Sequence, residues 1–276
     1  NGLRAYLERF GTTDAASEVH YRLGEVLRVQ GQCAKALPEY ARVTGGYASR
    51  ARLGGLECRV AEITSKTTAT ADERRAVVGA LRAFVQETPA RGEDEGRVAE
   101  GALLAALLAA KGPAPDHATV VELTDAFERK YPAATTYHTQ ALELRLRARV
   151  ALGRSTEVAN DLATFVKAGT VAGDRRKLLV QVTHDLAAQA ERMADPNALV
   201  AAGLARTALT ALVADGGSEA ERLQLADLTQ KTGDAVGARQ LYDAILASNG
   251  SSQEALRGAA RAAATAGDRG AAIGYW

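Results

Sequence analysis

Runs of Ala, Leu and Val form amphipathic stretches along this chain, separated by Gly, Pro and Asp. No run alternates apolar and polar positions up to a hairpin turn, as a half-buried strand would. Pro89, Gly112-Pro113-Ala114-Pro115, Tyr131-Pro132, Gly153 and Asp195-Pro196 mark the breaks between stretches. Asp195-Pro196 predicts an N-cap followed by proline at the first helical position. Thr70 with Glu73, Ser218 with Glu221, and Ser251 with Glu254 each have capping-box spacing. The expected fold class is all-α. The longest apolar run, Ala102 to Ala110, has nine residues. A membrane-spanning helix needs about 20, so this run predicts a buried helix, and no membrane span is expected in the chain.

The pattern repeats. Gly233-Asp234 and Gly267-Asp268 are 34 residues apart, and at the same spacing Ala238 matches Ala272 and Tyr242 matches Trp276. Glycine ends one helix in the left-handed conformation, and Asp caps the next. A small Ala then marks a helix contact, and the aromatic one turn later fills the gap. Near the N-terminus, Tyr21-Arg22-Leu23-Gly24, Leu27, Gly31, Ala36 and Tyr40 follow the same design, and Cys58 lies 34 residues after Gly24. These residues resemble the tetratricopeptide repeat, over roughly 14–60 and 217–276. The resemblance implies a single right-handed α-solenoid of helix pairs over 1–276. Clear repeats would span 1–64 and 217–276, with degenerate, irregular pairs over 65–216. Pro38 falls inside a second helix and is expected to disturb it. The Thr- and Ser-rich segment from Ile63 to Ala71 is expected to lengthen a loop, and the pair near Ala172 to Ala194 to exceed the family length.

Composition narrows the function. Hydrophobic residues make up 47% and charged residues 24%, which argues for a folded chain. Aromatics are only 5%, so the core must be built from small and aliphatic residues in close-packed helices. The 34 Lys and Arg balance 33 Asp and Glu, which argues against a nucleic-acid binder needing a concentrated positive face. His20, His117, His138 and His184 are far apart, and neither paired-His zinc spacing, a phosphate loop nor a nucleophile elbow occurs. His184-Asp185 is read as a surface pair, because neighbouring helical residues point in different directions. The expectation is a chain that is not an enzyme and holds no metal or cofactor. Its partners would be other proteins or peptides, within a larger multiprotein complex.

In the resembled family, partners lie in a groove lined by the first helix of each pair. Matching positions are Glu18, Tyr21, Glu25 and Arg28, then Arg52, Gly55, Arg59 and Glu62, with Asp227, Gln230, Arg257 and Arg261 near the C-terminus. Tyr21, Glu25, Arg28, Arg59, Asp227, Arg257 and Arg261 are the expected protein-binding residues. Tyr21 and Glu25 stand where carboxylate-gripping members of the family carry Lys and Asn, so that clamp is not expected. Cys33 opens one second helix and Cys58 lies in the next first helix. Two readings stay open: a disulfide stapling neighbouring repeats in an oxidising compartment, or two buried small apolar residues. The stretch from Tyr6 to Glu25 resembles bacterial periplasmic repeat proteins of outer-membrane assembly and the Tol-Pal system. That implies a scaffold or adaptor of the cell envelope. The alternative is a cytoplasmic regulatory module attached to a kinase or transcription regulator. Both ends fall within helical patterns, so the chain reads as an excerpt of a longer protein whose exposed apolar end, at Trp276, is expected to self-associate.

Overall fold

The computed structural model describes residues 2–10, 15–169, 171–192 and 196–276. Among the described residues every regular element is helical and no strand occurs. The chain divides into two compact units, 1–148 and 149–276. The first contains α1 (Gly2–Phe10), α2 (Ala15–Val29), α3 (Cys33–Tyr40), α4 (Ala48–Ser65), α5 (Ala71–Glu87), α6 (Asp94–Ala109), α7 (His117–Thr124), α8 (Phe127–Lys130) and most of α9 (Thr135–Ala151). Here α2 packs on α3 and α4, and α4 packs on α5 and α6. Each pair thus stacks on the next, with α2, α4 and α6 in sequence. The second unit contains α10 (Ser155–Lys167), α11 (Gly173–Arg192), α12 (Asn197–Ala214), α13 (Glu219–Lys231), α14 (Ala235–Ser248), α15 (Gln253–Thr265) and α16 (Arg269–Gly274). Its last helices repeat the arrangement, with α13 against α14 and α15, and α15 against α16.

One turn recurs in the pairs and explains their spacing. Gly233 and Gly267 have φ of 92° and 84°, a conformation that costs glycine little. The amide after each glycine bonds back five residues, from Asp234 to Thr229 and from Asp268 to Ala263. Gln32 to Leu27 and Arg154 to Arg149 repeat the bond. This closes the last carbonyls of the preceding helix. Asp234 and Asp268 then cap α14 and α16 through the amides of Gly237 and Ala271.

The pairs are joined by aromatic rings lying on glycine. The Tyr40 ring fits against Gly24 of its own pair and Gly54 of the next, Phe84 of α5 against Gly101 of α6, and Tyr242 of α14 against Gly258 of α15. A β-carbon on Gly258 would stand 2.3 Å from the Tyr242 ring, so only the missing side chain admits the ring. Around these contacts the core is alanine- and leucine-rich: Leu81, Phe84, Ala99, Ala102, Ala105 and Ala106 are fully buried.

Several expectations need correction. Thr70–Glu73 and Ser218–Glu221 are capping boxes, but Ser251–Glu254 is not. The residue before α15 is Ser252, whose side chain makes no capping bond, while Ser251 donates to Asn249. Pro196 precedes the first helical residue of α12 rather than filling it, and Asp195 lies outside the described residues. The Thr/Ser-rich segment is partly helical: α4 continues to Ser65, with the Thr64 hydroxyl bonded to the Val60 carbonyl. Its side chains satisfy backbone groups within the helix, which leaves only 66–70 as loop. Pro38 is accommodated in α3, which ends two residues later. The 102–109 part of the apolar run lies in α6 and is buried except at Leu104 and Leu107, which are partly buried, and Ala110 follows the helix. Among the described residues one helix, α12, is long and apolar enough to cross a membrane by length and composition. It packs against α11 and α13 with Ala202, Ala205, Ala208 and Leu212 fully buried. At α16, Ile273 and Trp276 are 75% and 86% exposed, whereas Tyr242, at the matching position, is buried.

Candidate functional site

A polar band crosses the first unit along α2, α4 and α6, which pack in turn, and reaches toward Tyr137 at the start of α9. It begins with Tyr21, Glu25 and Arg28, one face of α2 at spacings of four and three. Tyr21 stacks on Tyr47, with ring centroids 5.4 Å apart, and Arg50 lies over the other end of the array, 5.4 Å from the Tyr47 ring. Arg50 pairs with Glu93, and Ser49 donates to Asp94 at 2.8 Å, which also accepts from Arg97 at 2.6 Å. Lower in the band, Arg28 bonds Glu25 at 2.8 Å and reaches Glu57 of α4 at 2.9 Å. Glu57 faces Glu100 of α6, and Glu100 stands near Tyr137 of α9, close enough for the charges to act on one another.

Glu25 is not a free groove residue. Tyr40 donates its hydroxyl to Glu25 at 2.5 Å. Burial would raise the Glu25 carboxyl, but bonds from Arg28 and Tyr40 outweigh it and hold the carboxyl below its ordinary range. The second unit builds the same link. Tyr242 donates to Asp227 at 2.5 Å, and Arg261 lies 3.3 Å from Asp227. In both cases an aromatic on the second helix bonds an acid 15 positions earlier on the first. The acid therefore fixes the ring that rests on glycine. Arg257 is exposed and Gln230 half-buried.

Arg59 falls elsewhere. With Arg52 and Gly55 it lines a cleft of about 600 Å³ against Leu37 of α3, Ala41 just after it, and Ala80 and Ala83 of α5. Arg52 pairs with Glu87 at 2.6 Å. Two steps along a helix turn a side chain by about 200°, so Glu57 enters the band where Arg59 cannot. Glu57, Glu100 and Tyr137 were missed by the sequence reading, and only this half-turn argument applied to α4 could have found the first.

Glu57 is the band's titrating group. Burial pushes its carboxyl up to about 7, Arg28 opposes the rise, and Glu100 and Glu25 reinforce it. Between the ordinary carboxyl value of 4.5 and about 7, the folded chain holds a proton that the unfolded chain has released. Stability from this group therefore falls as pH rises through that window, and the loss is complete above it. Glu57→Gln, which keeps the neutral form, is expected to be more stable than the wild type at pH 8 by about 1 kcal/mol, discounted for partial exposure. Below pH ~4.5 the two should melt together. Melting both proteins across this range checks the sign; a gap that widens on acidification would refute it.

Cys33 and Cys58 are joined in a disulfide, with Cα atoms 5.4 Å apart. It ties α3 to α4 beneath Tyr40, within the cluster of Leu23, Leu27, Ala36 and Ala51. The histidines serve local contacts: His20 meets Glu39 at 2.7 Å, and His138 meets the Tyr131 carbonyl at 2.8 Å. His184 and Asp185 do approach, to 3.4 Å, on an exposed face where Gln181 also bonds Asp185. Among the described residues no group of three metal-ligating side chains converges. No protein-family model matches the chain, and a search of curated proteins found no match.

Proposed function

We propose that this chain is a scaffold of tetratricopeptide-like helix pairs, arranged as a right-handed α-solenoid, that holds another protein on the α2–α4–α6–α9 face of its first unit. The observation carrying this reading is the band from Tyr21 through Arg28 to Glu57, with Glu100 and Tyr137 beside it. It offers aromatic and Arg side chains, the residue types that dominate protein interfaces, on helices held rigid by ring-on-glycine contacts. Stacked helix pairs of this kind present extended surfaces suited to a protein partner. Much of the band is paired within itself, Arg28 with Glu25 and Glu57, and Arg97 with Asp94, an arrangement suited to recognition rather than to bond-making chemistry. The disulfide supports an oxidising compartment, and with it the reading of a bacterial cell-envelope scaffold. Reduced cysteines in the native source would point instead to the cytoplasmic regulatory module.

The reading is tested by co-purification from the native source after mild crosslinking. Tyr21→Ala combined with Arg97→Ala should reduce recovery of the partner at least tenfold, with the melting temperature lowered by only a few degrees. Arg257→Ala, in the second unit, should leave recovery intact. Equal recovery with all three proteins would reject the first-unit face.

A further inference from the structure

Outside the band, the first unit carries a second cleft, of about 460 Å³, between α5 and the 110–116 segment that joins α6 to α7. That volume is in the range of small-molecule sites. Its wall on α5 is set by helical spacing: Arg74, Val78 and Arg82 share one face, with Arg75 and Gly79 beside them. Lys111 and the Pro113-Ala114-Pro115 turn form the opposite wall, over a floor that includes Leu108 and Ala109. The two prolines fix the backbone there. Gly112, at φ 106°, brings the turn close over Arg74, so that a β-carbon on it would stand 3.6 Å from Arg74 Cδ.

The charges in this cleft are unbalanced. Four cations line it, Arg74, Arg75, Arg82 and Lys111, against the single acid Asp116. Arg75 is engaged by Asp72, and Arg82 by Glu122 at 2.5 Å. Asp116 spends its oxygens capping α7, at 3.0 Å from the Thr119 amide and 2.7 Å from the Thr119 hydroxyl. Arg74 and Lys111 have no ion pair among the described residues, and Arg74 Nε is buried without a hydrogen-bond partner. A buried donor left unmatched is costly, and two unneutralised cations facing one apolar-floored cleft favour an anion between them. We propose that this cleft is a binding site for a small molecule carrying a phosphate or carboxylate on an apolar body. Arg74 and Lys111 grip the anion. Val78, Leu108 and the proline turn cover the body.

Calorimetric titration of the full chain tests this, with phenyl phosphate and benzoate as probes for the two head groups and benzyl alcohol as the neutral control. At least one anionic probe should bind saturably, one per chain, and benzyl alcohol should not. Arg74→Gln and Lys111→Gln should each weaken that binding about tenfold or more, and the double variant should abolish it. In the unsubstituted protein, amide chemical shifts should move chiefly in 71–82 and 108–119, a readout independent of how the variants fold. Absence of saturable binding by either anion would overturn the assignment. So would equal binding of benzyl alcohol, unchanged affinity in the folded variants, or shifts confined to other helices.

Discussion

Replacing Asp161 with alanine is expected to destabilise the second unit by about 3–5 kcal/mol. Arg149 and Asp161 are 9% and 4% exposed and lie 2.7 Å apart. Both charges have left water, and each relies on the other's field and hydrogen bonds. Removing the carboxylate takes this 2.7 Å partner from a buried guanidinium where rehydration is poor, so the cost exceeds that of a surface pair, typically under about 1 kcal/mol. Replacing both partners, as Arg149→Met with Asp161→Leu, should cost less than Asp161→Ala alone, because no buried charge is left behind. Urea denaturation of the three proteins measures this. A loss under about 1 kcal/mol for Asp161→Ala would mean that water reaches the pair.

The second large effect is expected at the disulfide. Cys33→Ala with Cys58→Ala should lower stability by about 3.5 kcal/mol, because the bond closes a loop of 25 residues in the unfolded chain. The position sharpens the effect. Helix α3 has only eight residues, and Pro38 removes one of its backbone donors. It meets α4 through the disulfide, through Tyr40, whose ring sits on Gly54, and through Leu37 beside Gly55. Denaturation of the wild type with and without reductant should reproduce the shift. Coincident curves for oxidised and reduced protein would show that the staple contributes nothing.

The all-helical class was legible because its determinants are local. Glycine with a left-handed φ, an acid two or three residues before a free amide, and apolar faces act within a few residues, and Gly31, Gly153, Gly233 and Gly267 all mark turns. The candidate site was legible only within one helix. Tyr21, Glu25 and Arg28 share a face because all three belong to α2. Carrying that face to α4 requires knowing the helix's rotation, and the sequence offered Cys58 as the small residue matching Gly24. The ring of Tyr40 instead rests on Gly54, four residues earlier, which turns the register of α4 by about 40°. Glu57 and Arg59 stand about 200° apart on α4, so only the helix's actual rotation decides which of them enters the band. The links from Tyr40 to Glu25 and from Tyr242 to Asp227 were hidden for a related reason. A surface acid and an acid that orients a buried tyrosine look alike until the ring's direction is known.

Site-specific photocrosslinking in the native source would show whether a partner lies on the first unit's face. A photoreactive phenylalanine derivative would replace Tyr21, Tyr137 or, as a control, Val180, which is exposed on α11 of the second unit. The account predicts that positions 21 and 137 capture the same protein and that position 180 does not. Capture of one protein from position 180, with none from 21 or 137, would contradict it.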